Sequence, residues 1–160
     1  MSYATEQDYI ALFGDTVTGF ARYAFDAERI MDDMTTGVDN VRKLRAAFPT
    51  DAYSVNCVMR CACELVNTLA QIAEAEALAG YTKNETGAVV NKAIASVSSG
   101  TESISYASTG PQSAITAAAA DAAKKDALLR GIVRRYLSGV VDANGVNLLY
   151  MGPYPCLGAL

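Results

Sequence analysis

Apolar positions recur at helical spacing along much of the chain. Thr5 and Asp8 stand three apart, the arrangement of a capping box, and open a short helix that Gly14 stops. Val17, Phe20, Ala24, Ala27, Met31 and Met34 come next at steps of three and four, which predicts a second helix from Thr16 to Thr35, ended by Gly37. The run from Asp39 to Phe48 reads as a shorter helix closed by Pro49, with Arg42, Lys43 and Arg45 on its solvated face. The strongest signal is a long helix from Asp51 to Leu78. Val58, Ala62, Leu65, Leu69 and Ile72 form its stripe, Thr50 or Asp51 caps it, and Gly80 stops it.

The texture then changes. Residues 81–92 are polar and irregular. From Ser96 to Thr109, eight of fourteen residues are Ser or Thr, with Val, Ile and Tyr between them, a composition that favours strand over helix. Pairing about Ser99-Gly100 sets Val97 opposite Glu102, Ala95 opposite Ile104 and Ala93 opposite Tyr106, leaving one face mostly apolar. The expectation is a hairpin or extended loop over about 93–109. Pro111 precedes a last long helix, from Gln112 to Leu137, whose second half carries the stripe Leu129, Ile132, Val133, Tyr136. Gly139 ends it, and Asp142-Ala143-Asn144-Gly145 is a turn signal. The tail from Val146 to Leu160 is apolar and aromatic, but Gly152, Pro153, Pro155 and Gly158 argue against a helix. An apolar extended tail needs a cover, either the chain's own core or a partner.

Together these readings predict a mainly α protein: a small antiparallel helical bundle over 1–145, with a protruding Ser/Thr-rich hairpin or loop, and an extended C-terminal arm over 146–160. A chain of 160 residues is one domain by size. With 51% hydrophobic and 19% charged residues it is globular. The net charge of −4 argues against a general nucleic-acid binder, since those are basic. No secretory leader is expected from the first residues, and no stretch is apolar enough to suggest a membrane span.

Candidate chemistry is sparse. The chain has no His, which removes the commonest general base and the commonest metal ligand. Cys57, Cys61 and Cys63 fall on the long helix in a C-x3-C-x-C spacing. Cys57 and Cys61 lie along one edge of its stripe, Cys63 points to nearly the opposite face, and Cys156 is in the tail. They read as small hydrophobes in a reducing cytoplasm rather than as a metal or redox site. Asp32 and Asp33, Glu74 and Glu76, and Asp26 and Glu28 all diverge on their helices, so they read as solvated acids. No nucleophile elbow or phosphate loop is present. Lys124, Lys125, Arg130, Arg134 and Arg135 gather five of the 13 basic residues, as a solvated face, as a contact for an acidic partner surface or, against the acidic balance of the chain, as a DNA-phosphate contact. The expectation is a protein without enzymatic activity, cofactor or metal.

Four segments in this order resemble the head–tail connector (adaptor) family of long-tailed bacteriophages. YATEQDYIALFGD is similar to that family's short first helix, VMRCACELVNTLAQIAEAEA to its central helix, KAIASVSSGTESISYAS to its S-x-S-x-G…S-V-S-Y loop, and IVRRYLSG with NLLYMG to its last helix and "LLYRG" tail. Met151 stands where relatives have Arg. The resemblance implies a ring of about 12 subunits in the virion neck, made in the host cytoplasm. It would be docked on the portal protein, would receive a stopper or tail-completion protein, and would pass DNA through its lumen without reading its sequence, with no membrane partner. It implies a portal arm at Leu148, Leu149, Tyr150, Met151, Gly152 and Tyr154. It also implies subunit or ring contacts at Val97, Ser99, Gly100, Ile104 and Tyr106, with Arg130, Arg134 and Arg135 as further contact candidates. A rival reading is a small helical protein-binding module with no virion role, which predicts a tail folded on its own core. A small terminase subunit should carry a basic helix-turn-helix, and none is evident.

Overall fold

A computed structural model describes residues 2–78, 81–83, 89–91, 97–99, 102–104 and 113–154. Over these residues the protein is mainly helical. Six helices, α1 (Glu6–Phe13), α2 (Phe20–Thr35), α3 (Lys43–Ala46), α4 (Ala52–Leu78), α5 (Ala114–Ala120) and α6 (Ala122–Leu137), accompany four short strands, β1 (Tyr81–Lys83), β2 (Val89–Asn91), β3 (Val97–Ser99) and β4 (Glu102–Ile104). The chain divides into two compact units, Met1–Ala70 with Asp126–Leu160, and Gln71–Lys125. The division falls within α4 and within α6, and residues 146–154 belong to the first unit.

In the first unit, α1 starts at the predicted capping box. The Asp8 amide donates to Thr5 Oγ1 at 3.2 Å, and the Thr5 amide donates to Asp8 Oδ2 at 2.8 Å. The Thr5 donors hold the Asp8 carboxyl below its ordinary range. Helix α4 is the centre of this unit. Val58, Cys61, Ala62, Cys63, Leu65, Val66 and Leu69 are all buried, an arc of about 200° at about 100° per residue. A single stripe accounts for only part of that arc. The rest is covered by α1, whose Tyr9 is buried and donates its hydroxyl hydrogen to Asn67 Oδ1 at 3.2 Å. Ala27 and Met31 of α2, Leu44 of α3, and Leu129, Ile132, Val133 and Leu137 of α6 complete the core.

Two expected helices change. The run Asp39–Phe48 keeps only four helical residues. Thr36 bridges to Arg42, and Asn40, at φ 61°, donates its amide to the Gly37 carbonyl at 3.0 Å. Asn tolerates that left-handed backbone, so a tight turn forms where a helix was expected. The expected last helix is broken at Asp121, which has extended backbone angles and whose Oδ1 accepts the Ala123 amide at 2.8 Å. An Asp that caps a new helix competes with continuing the old one.

In the second unit Ile72 and Ala118 are buried, and Lys125 pairs with Glu76 at 3.2 Å. Residues 81–92, expected to be irregular, contain β1 and β2, paired antiparallel with Thr82 opposite Val90. Strands β3 and β4 also pair antiparallel, but Val97 faces Ile104 rather than Glu102, and Ser99 faces Glu102. Ala93, Ala95, Gly100 and Tyr106 lie outside the described residues, as do Gly80, Gln112 and the tail beyond Tyr154.

Candidate functional site

The described part of the tail is tied down by polar groups. After α6, Gly139 (φ 79°) and Gly145 (φ 77°) turn the backbone through the left-handed region that Gly enters without strain. Buried Asp142 holds the turn between them. Its Oδ1 accepts the amides of Asn144 and Val146, each at 2.9 Å, and its Oδ2 accepts the Tyr154 hydroxyl at 2.5 Å. The Leu148 amide donates to the Val140 carbonyl at 2.9 Å, and the Leu148 side chain is fully buried in the core.

Lys43, expected on a solvated face, is fully buried. Its Nζ donates to the Leu148 carbonyl at 3.2 Å and to the Tyr150 carbonyl, and it lies 5.8 Å from the Tyr150 ring centroid. Burial pushes the Lys43 pKa down, and the charges of Asp39 and Asp142 oppose that shift in part. From the other side, the Val38 amide donates to the Met151 carbonyl at 3.1 Å, and Asp39 Oδ2 accepts the Tyr154 amide at 2.6 Å. That amide is the main cause holding the Asp39 carboxyl below its ordinary range. Gly37 is buried under this segment, and a Cβ there would come within 2.9 Å of both the Gly152 carbonyl oxygen and Asp39 Oδ1. A helix-like charge pattern around Lys43 conceals its partner, because the carbonyls it caps lie 105 and 107 residues further along the chain.

This anchoring presents Tyr150 and Met151 at the surface. Leu149 is half-buried, Tyr150 is 49% exposed and Met151 54% exposed. Leu149 and Met151 line a shallow groove of about 210 Å³ with Asp33, Met34, Arg130 and Arg134. Val38, beside Met151 through its amide bond, is 75% exposed and extends the apolar area. The groove therefore unites two stretches that the sequence nominated separately, Arg130 and Arg134 with Leu149 and Met151. Asp33, Met34 and Val38 were not nominated. Met34 already stood on an apolar stripe, whereas nothing local marks Val38.

The other nominated residues fall elsewhere. Leu148 is part of the core. Gly152 and Tyr154 are half-buried, and Tyr154 is engaged by Asp39, Asp142 and Asn144. Arg135 turns away from the groove, pairing with Glu64 at 3.6 Å and lying over the Tyr136 ring at 5.3 Å. Val97, Ser99 and Ile104 are in β3 and β4 of the second unit.

Chemical groups elsewhere are committed to structure. Asp32, expected to be solvated, is buried. It accepts the Tyr3 hydroxyl, and its Oδ2 accepts Arg45 Nε at 2.8 Å. Cys61 and Cys63 are buried, and burial raises both thiols, Cys63 to about 11, so they stay protonated at neutral pH. Among the described residues no three His, Cys, Asp or Glu side chains could hold a metal, and no helix is long and apolar enough to cross a membrane. Comparison of the chain with family models, curated proteins and solved structures gave no match in any of the three.

Proposed function

We propose that this chain is a non-enzymatic structural subunit of the neck of a long-tailed bacteriophage. It forms a ring that joins the capsid portal to the tail or stopper and lets DNA pass. Its architecture would be a small antiparallel bundle with a protruding Ser/Thr-rich hairpin, with the arm region presenting the portal contact. The observation that carries this reading is the groove, in which Arg130 and Arg134 meet Leu149 and Met151. These residues come from the two segments, IVRRYLSG and NLLYMG, whose order resembles the connector family. An exposed apolar strip rimmed by cations has the composition of a protein contact, and a closed ring repeats one such contact until it closes. The acidic balance of the whole chain suits a lumen that lets DNA slide without sticking.

Native mass spectrometry of the full chain, alone and mixed with portal rings, tests the proposal. A closed species of about 12 copies, or a monomer that assembles on portal, supports it. A monomer under both conditions overturns it. Deleting residues 146–160 is a poor test, because Leu148 would leave the core. The second reading, a small helical protein-binding module without a virion role, is favoured by the fold of residues 146–154 onto the chain's own core. It predicts the monomer.

A further inference from the structure

The first unit carries a second surface that complements the groove. On α1, Glu6, Ile10 and Phe13 fall within about 60° of arc at about 100° per residue, and Ile10 and Phe13 are 40% and 38% exposed. No Lys or Arg occurs before Arg22. Glu6 on this edge and Asp15 just past the helix are acidic, Asp8 lies on the far side of α1 in the capping box, and Arg60 and Glu64 of α4 line the pocket beside Phe13. The groove has Met34, Leu149 and Met151 as its apolar part, Arg130 and Arg134 as its cations and Asp33 as an acid. Arg130 is already paired with Asp126 at 2.6 Å. Arg134 is exposed, and among the described residues it has no ion-pair partner. Asp15 is exposed in the same way.

The two surfaces lie on different flanks of α6. Tyr136 lines a second pocket, of about 190 Å³, with Leu12 and Phe13. Around the helix Tyr136 stands about 160° from Arg134 and about 120° from Arg130. One molecule therefore cannot close the two surfaces on each other. Contacts between unlike patches add copies head to tail, into a ring or a filament. Size agrees as well, since a cavity of about 150 Å³ accepts benzene and the groove measures about 210 Å³, room for one phenyl ring.

We infer that the groove is occupied by a second copy of this chain, which inserts the Ile10–Phe13 edge of its α1 against Met34, Leu149 and Met151 and brings Asp15 to Arg134. This rests on the ring reading, names the two surfaces that would form its repeating contact, and leaves the exposed Tyr150, which does not line the groove, for the portal.

Native mass spectrometry of Met151→Asp and Phe13→Asp tests it, with circular dichroism to confirm the helical fold of each. Met151→Asp keeps the α1 edge and loses the groove, and Phe13→Asp does the reverse. Each alone should be monomeric where the unsubstituted chain assembles, and an equal mixture should form a one-to-one heterodimer and nothing larger. Should Phe13→Asp fail to fold, the exposed pair Arg134→Glu and Asp15→Arg serves instead, each alone weakening assembly at least tenfold and the double variant restoring it. A ring that survives all these substitutions overturns the inference and leaves the neck reading standing. So does a mixture that stays monomeric. A chain that never assembles, alone or on portal, overturns both.

Discussion

The two ends of the described chain are fastened to the same four-residue helix by different chemistry. At the N-terminal end, the Tyr3 hydroxyl and Arg45 share the buried Asp32 carboxylate. Arg45 also pairs with Glu28 at 3.1 Å and lies 5.2 Å from the Tyr3 ring centroid. The charge there is matched by an opposite charge. At the C-terminal end, Lys43 is fully buried on the carbonyls of Leu148 and Tyr150. Asp39 and Asp142 act on it only through space, without an ion pair within 4.0 Å among the described residues. A matched pair resists removal of either member, whereas an ammonium on carbonyls carries a desolvation cost that its removal relieves. The first fastening is therefore expected to be rigid and costly to break. In the second, the apolar anchor Leu148 supplies most of the hold.

The largest effect should come from that anchor. Leu148→Ala is expected to destabilise the protein by about 2–5 kcal/mol, the usual cost of opening a cavity at a fully buried Leu. Urea unfolding measures it, and a change below about 1 kcal/mol would place Leu148 outside the core. Next comes Tyr3→Phe, which takes a donor from a buried carboxylate and should cost about 1.5–3 kcal/mol.

Lys43→Met should change global stability least, by about 1 kcal/mol or less, because lost hydrogen bonds and relieved desolvation oppose each other. It should nevertheless speed amide exchange at Leu148 and Val38, where the segment meets the core. The pH dependence sharpens the contrast. Lys43 has its pKa lowered in the fold, so the unfolded chain binds its proton more tightly, and stability rises as pH climbs from the lowered value to the ordinary one of 10.5. The unsubstituted protein should gain on Lys43→Met through that window. Tyr3 is raised above its ordinary 10.0, chiefly by burial and then by Asp32, so its contribution is full below pH 10 and declines above it. The advantage over Tyr3→Phe should shrink there. Parallel pH profiles for the two variants would erase the distinction between the fastenings.

Local signals were legible in the sequence where the cause is local. The Thr5–Asp8 box, the stripe of α4 and the glycine after α6 depend on residues a few positions apart, and the observed elements begin and end within a few residues of those signals. What escaped is non-local. Cys63 is buried on a second face of α4, where Tyr9 of α1 reaches Asn67. Lys43 and Asp32 read as solvated because their partners come from distant parts of the chain. The same holds for the groove. Arg130, Arg134, Leu149 and Met151 each stood out by composition, but their meeting with Asp33 and Met34 depends on where α2 ends against α6.

The close approach of Gly37 to the Gly152 carbonyl has a genetic meaning. Added bulk at residue 37 would push the segment off the core while the helices stay intact, so the lesion would strike presentation of Tyr150 and Met151 before it struck folding. Position 37 is thus where a conditional allele would arise: a chain that accumulates normally at every temperature, yet fails at the step that needs its surface once warming loosens the segment.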